Sequence, residues 1–210
     1  MRGILVFGSS MTQGSFDPEG GWVGRLSRYL MKLTPGERPK YKVYNMGVSG
    51  DSSKELLERI EPEIKARMRD DMIIIIAIGG NDAWWWVEDE CTNHSTEEYA
   101  SNLEKIFDIA KDYTDKVLCV GMTPVDEEKV NPMPWFPKAS YFNRLMKQYN
   151  EVAENVCDKN DVSFIDMFSK FMELDYKKML FDGVHMTSEG HQKMFEIVKD
   201  FLVEKKLIST

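Results

Sequence analysis

Apolar positions in this chain fall into two alternating kinds of run. Five are short and nearly continuous, at 3–7, 42–45, 72–78, 117–121 and 163–165. They carry β-branched and aromatic residues without strict alternation, as strands covered on both faces do. Between them the apolar residues recur every three to four positions. Trp22-Val23, Leu26, Leu30 and Leu33 form one stripe, and Leu56-Leu57, Ile60, Ile64 and Met68 a second. Leu103, Ile106-Phe107 and Ala110 form a third, Leu145, Tyr149, Val152-Ala153 and Val156 a fourth, and Met194, Ile197-Val198 and Phe201-Leu202 a fifth. These are helix faces. Ser95 with Glu98 reads as a capping box, Thr187 as a cap for the last helix, and Ser53 as a partial cap with Leu56 where the acid belongs. Strand and helix alternate throughout. The pattern predicts an α/β fold with right-handed crossovers and a doubly wound parallel sheet. No repeat or linker interrupts it, so 1–210 is expected to be one domain. Two irregular stretches, 82–94 and 124–138, are long enough to expect a functional role.

Composition narrows the class. Of 210 residues, 42% are hydrophobic and 30% charged, which suits a globular chain. Lys plus Arg is 27 against 35 Asp plus Glu, a net −8, so a nucleic-acid partner is not expected. Met1-Arg2 runs straight into the first strand with no export signal, and the run at 72–78 is far short of the roughly 20 residues that span a bilayer. A cytoplasmic chain without stable membrane insertion is the expectation. Cys91, Cys119 and Cys157 are widely spaced and form no CxxC pair, which predicts free thiols and neither a zinc site nor a disulfide framework.

In such a fold ligands gather at the carboxyl ends of the strands. Four polar clusters belong there: Gly8-Ser9-Ser10, Ser49-Gly50-Asp51-Ser52, Gly79-Gly80-Asn81-Asp82 and Asp182-Gly183-Val184-His185. Ser10, where a buried strand breaks into a loop, is placed as a nucleophile would be. Of the three histidines, His94 lies in a polar loop with no acid at fixed spacing, and His191 suits surface or packing. His185 has Asp182 three residues earlier, a spacing that lets a carboxylate hold Nδ1–H and leave Nε2 to accept a serine proton. Taken alone, D-x-x-H fits a helix cap and a packed histidine better; the other clusters reverse that. Gly50 offers an unscreened backbone N–H and Asn81 a side-chain amide, donors suited to an oxyanion.

The four clusters together resemble the SGNH hydrolase superfamily, the GDSL-type esterases and lipases. Gly8-Ser9-Ser10-Met11-Thr12-Gln13-Gly14 matches the family's first block except at Ser9, where the family carries Asp. Ser49-Gly50-Asp51-Ser52, Gly79-Gly80-Asn81-Asp82 and Asp182 to His185 match the others, in order and across nearly the whole chain. The resemblance implies a flavodoxin-like three-layer α/β/α sandwich on a five-stranded parallel sheet. It implies Ser10 as nucleophile, His185 as base, Asp182 as orienting acid, and the Ser10 N–H, Gly50 N–H and Asn81 side chain as oxyanion hole. It implies no metal and no cofactor.

The leading expectation is therefore a serine hydrolase of small-molecule, short-chain acyl esters working through an acyl-enzyme. A thioesterase or lysophospholipase, a carbohydrate O-acetyl esterase and an acyltransferase would use the same residues. A flavodoxin-like phosphate or flavin binder is the alternative from another class, and it leaves Asn81, Asp182 and His185 without a task. Trp84, Trp86 and Trp135 are candidate walls of a substrate pocket; Trp84-Trp85-Trp86 equally suits loop packing or a contact in a homo-oligomer. Whether 124–138 forms a lid is left open.

Overall fold

The computed structural model describes residues 1–209. Its strands are β1 (Arg2–Gly8), β2 (Tyr41–Gly47), β3 (Met72–Ala77), β4 (Trp85–Trp86), β5 (Cys91–Thr92), β6 (Val117–Val120), β7 (Ala139–Ser140) and β8 (Ser163–Ile165). Its helices are α1 (Ser10–Gln13), α2 (Gly21–Lys32), α3 (Ser53–Arg67), α4 (Thr96–Lys111), α5 (Glu127–Val130), α6 (Asn143–Lys159), α7 (Met167–Met172) and α8 (Ser188–Glu204). The long apolar runs make one five-stranded sheet in the order β2-β1-β3-β6-β8, with every neighbouring pair parallel. The chain steps from β1 outward to β2 and returns to β3 on the other side. The crevice where that order reverses lies at the carboxyl ends of β1 and β3.

The unbroken Ile73–Ile76 run follows from two-sided burial. Ile73 and Ile75 face a core with Trp22, Leu26, Val198 and Leu202, from α2 and α8. Ile74 and Ile76 face a second core with Leu56, Ile60, Leu103 and Tyr149, from α3, α4 and α6. Each such isoleucine contributes about 1.5–3 kcal/mol by leaving water. None of the described helices is long and apolar enough to cross a membrane.

Helix starts follow local polar chemistry. Ser95 and Glu98 form the expected capping box, and Thr187 accepts the Gly190 N–H. The cap of α3 is Ser52 rather than Ser53, with a complete box to Glu55. Two causes agree: Glu55 lies three residues after Ser52 and completes its box, and Ser53 Oγ is bonded to Asp82 at 2.5 Å. The two irregular stretches also hold more order than their composition suggests. β4 pairs antiparallel with both β5 and β7, a small second sheet that joins the 82–94 segment to the chain just after 138. Two-residue strands are too short to show a period.

A buried ion pair ties the loop after α1 to the start of α8. Asp17 binds the Arg25 guanidinium and accepts from the Gly21 N–H at 2.9 Å and from Ser188 Oγ at 2.9 Å. Arg25 also donates to Ser188 Oγ at 2.7 Å, to its carbonyl at 3.1 Å and to Gln192 at 3.1 Å. Burial alone would raise the Asp17 carboxyl, but Arg25, Ser188 and the Glu19 N–H outweigh it and hold it at about 2. His191, beside this pair, is fully buried with neither ring nitrogen bonded. Burial pulls its imidazole down to about 4, with Arg25 and His185 adding and Asp17 opposing.

These shifts act in separate pH windows. A histidine held neutral in the fold but protonated when unfolded below about 6.5 makes stability fall as pH drops from there to about 4, by at most about 1.4 kcal/mol per unit. Denaturation titrations of His191→Leu should show a flatter slope in that window. Asp17 contributes stability that is complete above its unfolded value of about 3.9 and lost as pH falls toward 2. Arg25→Met leaves a buried carboxylate without its cation and should cost about 3 kcal/mol at neutral pH. The double variant Asp17→Asn/Arg25→Met should recover part of that loss.

Candidate active site

β1 ends at Gly8, and Ser10 opens the one-turn helix α1 directly above the sheet edge. Close approach makes this possible. A side chain at Gly8 would lie 2.4 Å from the Ala77 carbonyl, and one at Gly47 would lie 2.2 Å from the Gln13 nitrogen. Asn45 on β2 reaches up to the Thr12 carbonyl at 2.8 Å and steadies the far end of α1. Ser9 makes no side-chain cap bond. The Gly8 carbonyl is held by Arg59 at 3.1 Å, and Arg59 is paired with Asp51 at 2.6 Å, so the first cluster is fastened to the second.

Asp182 and His185 lie on a turn that closes on itself, with the Phe181 N–H bonded to the His185 carbonyl at 2.7 Å. One Asp182 oxygen accepts the backbone N–H groups of Val184 at 2.9 Å and His185 at 2.8 Å. The other is 2.7 Å from His185 Nδ1. Burial pushes this carboxyl up, but the ring and backbone bonds prevail and hold it below the ordinary value. An ionised Asp182 fixes the proton on Nδ1, so Nε2 is the acceptor. His185 Nε2 lies 2.9 Å from Ser10 Oγ, joining residues 175 apart in sequence. Gly183 is crowded by Val130 and Lys129 at 2.8 and 2.9 Å from any added Cβ, and its φ of +102° suits glycine alone.

Gly50 and Asn81 line the same open cleft as Ser10 and His185. Gly50 has φ +91° with open space around it, so conformation and not crowding selects glycine there. The Asn81 amide is oriented from both ends. Its nitrogen donates to the Asp51 carbonyl at 2.8 Å, and its oxygen accepts from Tyr141 Oη at 2.9 Å. One amide N–H remains for a ligand. Burial pushes the Tyr141 phenol well above its ordinary value, with Asp82 and Asp182 adding, so it stays a donor. Asp82 does not face the cleft. It is buried against Ser53, accepting the backbone N–H at 3.0 Å, and burial raises its carboxyl against the pull of Ser53 and His94.

The tryptophans divide. Trp84 and Trp135 line the cleft with Phe136 and Met133. Trp86 stands behind them, edge-on to Trp84 at 5.5 Å and to Phe136 at 5.6 Å, with its indole N–H on Asn93. His94 sits away from Ser10, its Nε2 2.9 Å from Ser52 Oγ. His191 packs in the interior. Below Ser10 is a small pocket of about 60 Å³, lined in part by Met11, Ile78, Val120, Met122, Met146 and Met194. No cluster of three or more His, Cys, Asp or Glu side chains able to hold a metal occurs among the described residues. Tyr141, Arg59 and Asn45 were invisible as site residues in the sequence, since each acts through a partner far along the chain.

Chemically, a serine hydroxyl bonded to an imidazole that is oriented by a carboxylate, with amide donors across the same cleft, can carry out acyl transfer. Known proteins agree with that chemistry. Residues 6–193 match the GDSL-like Lipase/Acylhydrolase family. The chain is 28% identical to the GDSL esterase/lipase CPRD49 of Arabidopsis thaliana, over 94% of this chain and 78% of that protein. It is 25% identical to an acetylxylan esterase of Geobacillus stearothermophilus, over 90% and 88%. The crystal structure of a lipase/acylhydrolase from Enterococcus faecalis shares the fold with a TM-score of 0.76 at 21% identity, covering 98% of this chain and 97% of that one. A match that spans all four polar clusters and both halves of the sheet means that the chain belongs to the GDSL-like lipase and acylhydrolase family of serine ester hydrolases.

Proposed function

We propose that this ester hydrolase cleaves short-chain acyl esters through an acyl-enzyme on Ser10. The observation that carries the reading is the unbroken chain from Asp182 through His185 to Ser10, at 2.7 and 2.9 Å. Ser10 Oγ attacks the ester carbonyl while His185 Nε2 takes its proton. The tetrahedral oxyanion is held by the Ser10 and Gly50 N–H groups and by the free Asn81 amide hydrogen. The carbon–oxygen bond to the alcohol breaks, and His185 returns the proton to the departing oxygen. Water then attacks the acyl-Ser10 by the same route and releases the acid. Asp182 stays ionised and stabilises the imidazolium formed at each attack.

The short acyl length is supported by the pocket beneath Ser10. Its space is only about 60 Å³, and Met11, Met122, Met146 and Met194 are among its walls. A second reading, an O-acetyl ester of a carbohydrate, is favoured by the open cleft with Trp84 and Trp135 and by the acetylxylan esterase relative.

Ser10→Ala should abolish hydrolysis of p-nitrophenyl acetate, by at least about 10³-fold, with an unchanged circular dichroism spectrum and loss of labelling by a fluorophosphonate probe. Wild-type-like turnover in that variant would sink the acyl-enzyme. Asn81→Ala should lower kcat by about 10²–10³. Tyr141→Phe, which removes only the bond orienting Asn81, should lower kcat about tenfold and leave KM nearly constant. A change confined to KM would place Tyr141 in substrate binding instead.

A further inference from the structure

The group that returns a proton to the departing alcohol must lie within hydrogen-bond reach of that alcohol's oxygen. Whatever surrounds His185 on its open side therefore contacts the alcohol half of the ester. Two aromatic rings lie beside the imidazole and a third backs one of them, from three separate segments. Phe16 stands edge-on to the imidazole at 5.2 Å, and Phe181 stacks on Phe16 at 5.0 Å with only 19° between the planes. Trp135 approaches the imidazole at 6.4 Å. All three are exposed, at 59%, 60% and 50%, and none belongs to either apolar core.

Phe16 is also held in an unfavourable backbone conformation, φ +63°. That region crowds any residue bearing a Cβ and is normally left to glycine or asparagine. Neighbouring bonds impose it: Ser15 N–H to the Ser10 carbonyl at 3.1 Å, and Asp17 N–H to the Gly14 carbonyl at 3.2 Å, with the Asp17 side chain anchored below. A large apolar ring at a strained, solvent-facing position has no folding role to explain it. Strain of this kind gathers where a ligand is gripped.

We propose that Phe16, Phe181 and Trp135 form the subsite for the leaving alcohol, and that the preferred alcohol carries a six-membered ring with a flat apolar face. The stacked pair leaves an outer ring face as a platform for such a face, and Trp135 offers a second wall. A pyranose and an aryl ring share this chemistry. The inference rests on the hydrolase reading, since it places the alcohol by the path of the His185 proton.

The test compares kcat/KM on phenyl acetate, on an acetylated methyl xyloside and on ethyl acetate for wild type, Phe16→Gly, Phe181→Ala and Trp135→Ala. Comparing each ratio of ring ester to ethyl acetate between variant and wild type cancels differences in intrinsic reactivity. A stacking contact is worth about one factor of ten, so that ratio should fall about tenfold in Phe16→Gly and Phe181→Ala, chiefly through KM. A fall on the xyloside alone identifies a sugar and one on phenyl acetate alone an aryl alcohol; both support the subsite. Phe16→Gly should melt at or above the wild-type temperature, because glycine relieves the backbone. An unchanged ratio in all three variants, or a lower melting point with equal loss on every ester, overturns the proposal. Fluorophosphonate labelling of Ser10 separates the two levels: labelled wild type with ratios unchanged in all three variants removes this subsite alone, and wild type that neither labels nor turns over esters removes the hydrolase reading itself.

Discussion

The arrangement depends on a buried ion pair that touches no cleft residue. Ser10, on a one-turn helix, and His185, on a tight turn, sit at opposite ends of the chain, and their hydrogen bond tolerates an error of only a few tenths of an ångström. The sheet alone does not set so fine a distance, because both segments have already left it. Asp17 lies seven residues beyond Ser10, and Ser188 three beyond His185. Arg25 holds both, together with the Gly21 carbonyl from its own helix. Buried pairs of this kind add little net stability over an apolar replacement. Their geometry admits few alternative arrangements, and here that restricts where two distant segments meet.

A second network does the same for the amide side of the cleft. Arg59 joins the Gly8 carbonyl to Asp51, Asp51 offers its carbonyl to Asn81, and Tyr141 holds the other end of that amide. Asp82, next in sequence, is plugged into the first turn of α3 through Ser53. The strand ends carry polar residues that face the cleft, and the helix starts carry the groups that fix them. The absence of the family's acid at Ser9 fits this layout, since the turn it occupies is braced through Arg59.

Much of this was legible in the residues. Two-sided burial writes a strand as a solid apolar run, so the parallel sheet could be read from 3–7, 72–78 and the rest. The four polar clusters were legible because glycine, serine and asparagine at strand ends have few structural tasks. What failed to show has a common physical cause. Arg25, Arg59 and Tyr141 each join segments 51 to 167 residues away, and a lone Arg or Tyr on a helix face or in a loop looks ordinary. The pairing of β4 with β7 rests on two residues per strand, below any detectable period. The cap of α3 is Ser52, the serine with an acid three residues on at Glu55, while Asp82 occupies the Ser53 hydroxyl. The strained conformation of Phe16 is set by hydrogen bonds on either side of it and leaves no trace in composition.

The small antiparallel sheet carries an implication for how such an enzyme diversifies. Trp84, Met133, Trp135 and Phe136 belong to segments knitted to each other by β4 and β7, whereas Ser10, Gly50 and His185 hang from the main sheet and its flanking helices. The two assemblies meet at Asn81 and Tyr141. Changes in these two segments can recut the mouth of the cleft while Ser10, Gly50 and His185 keep their spacing.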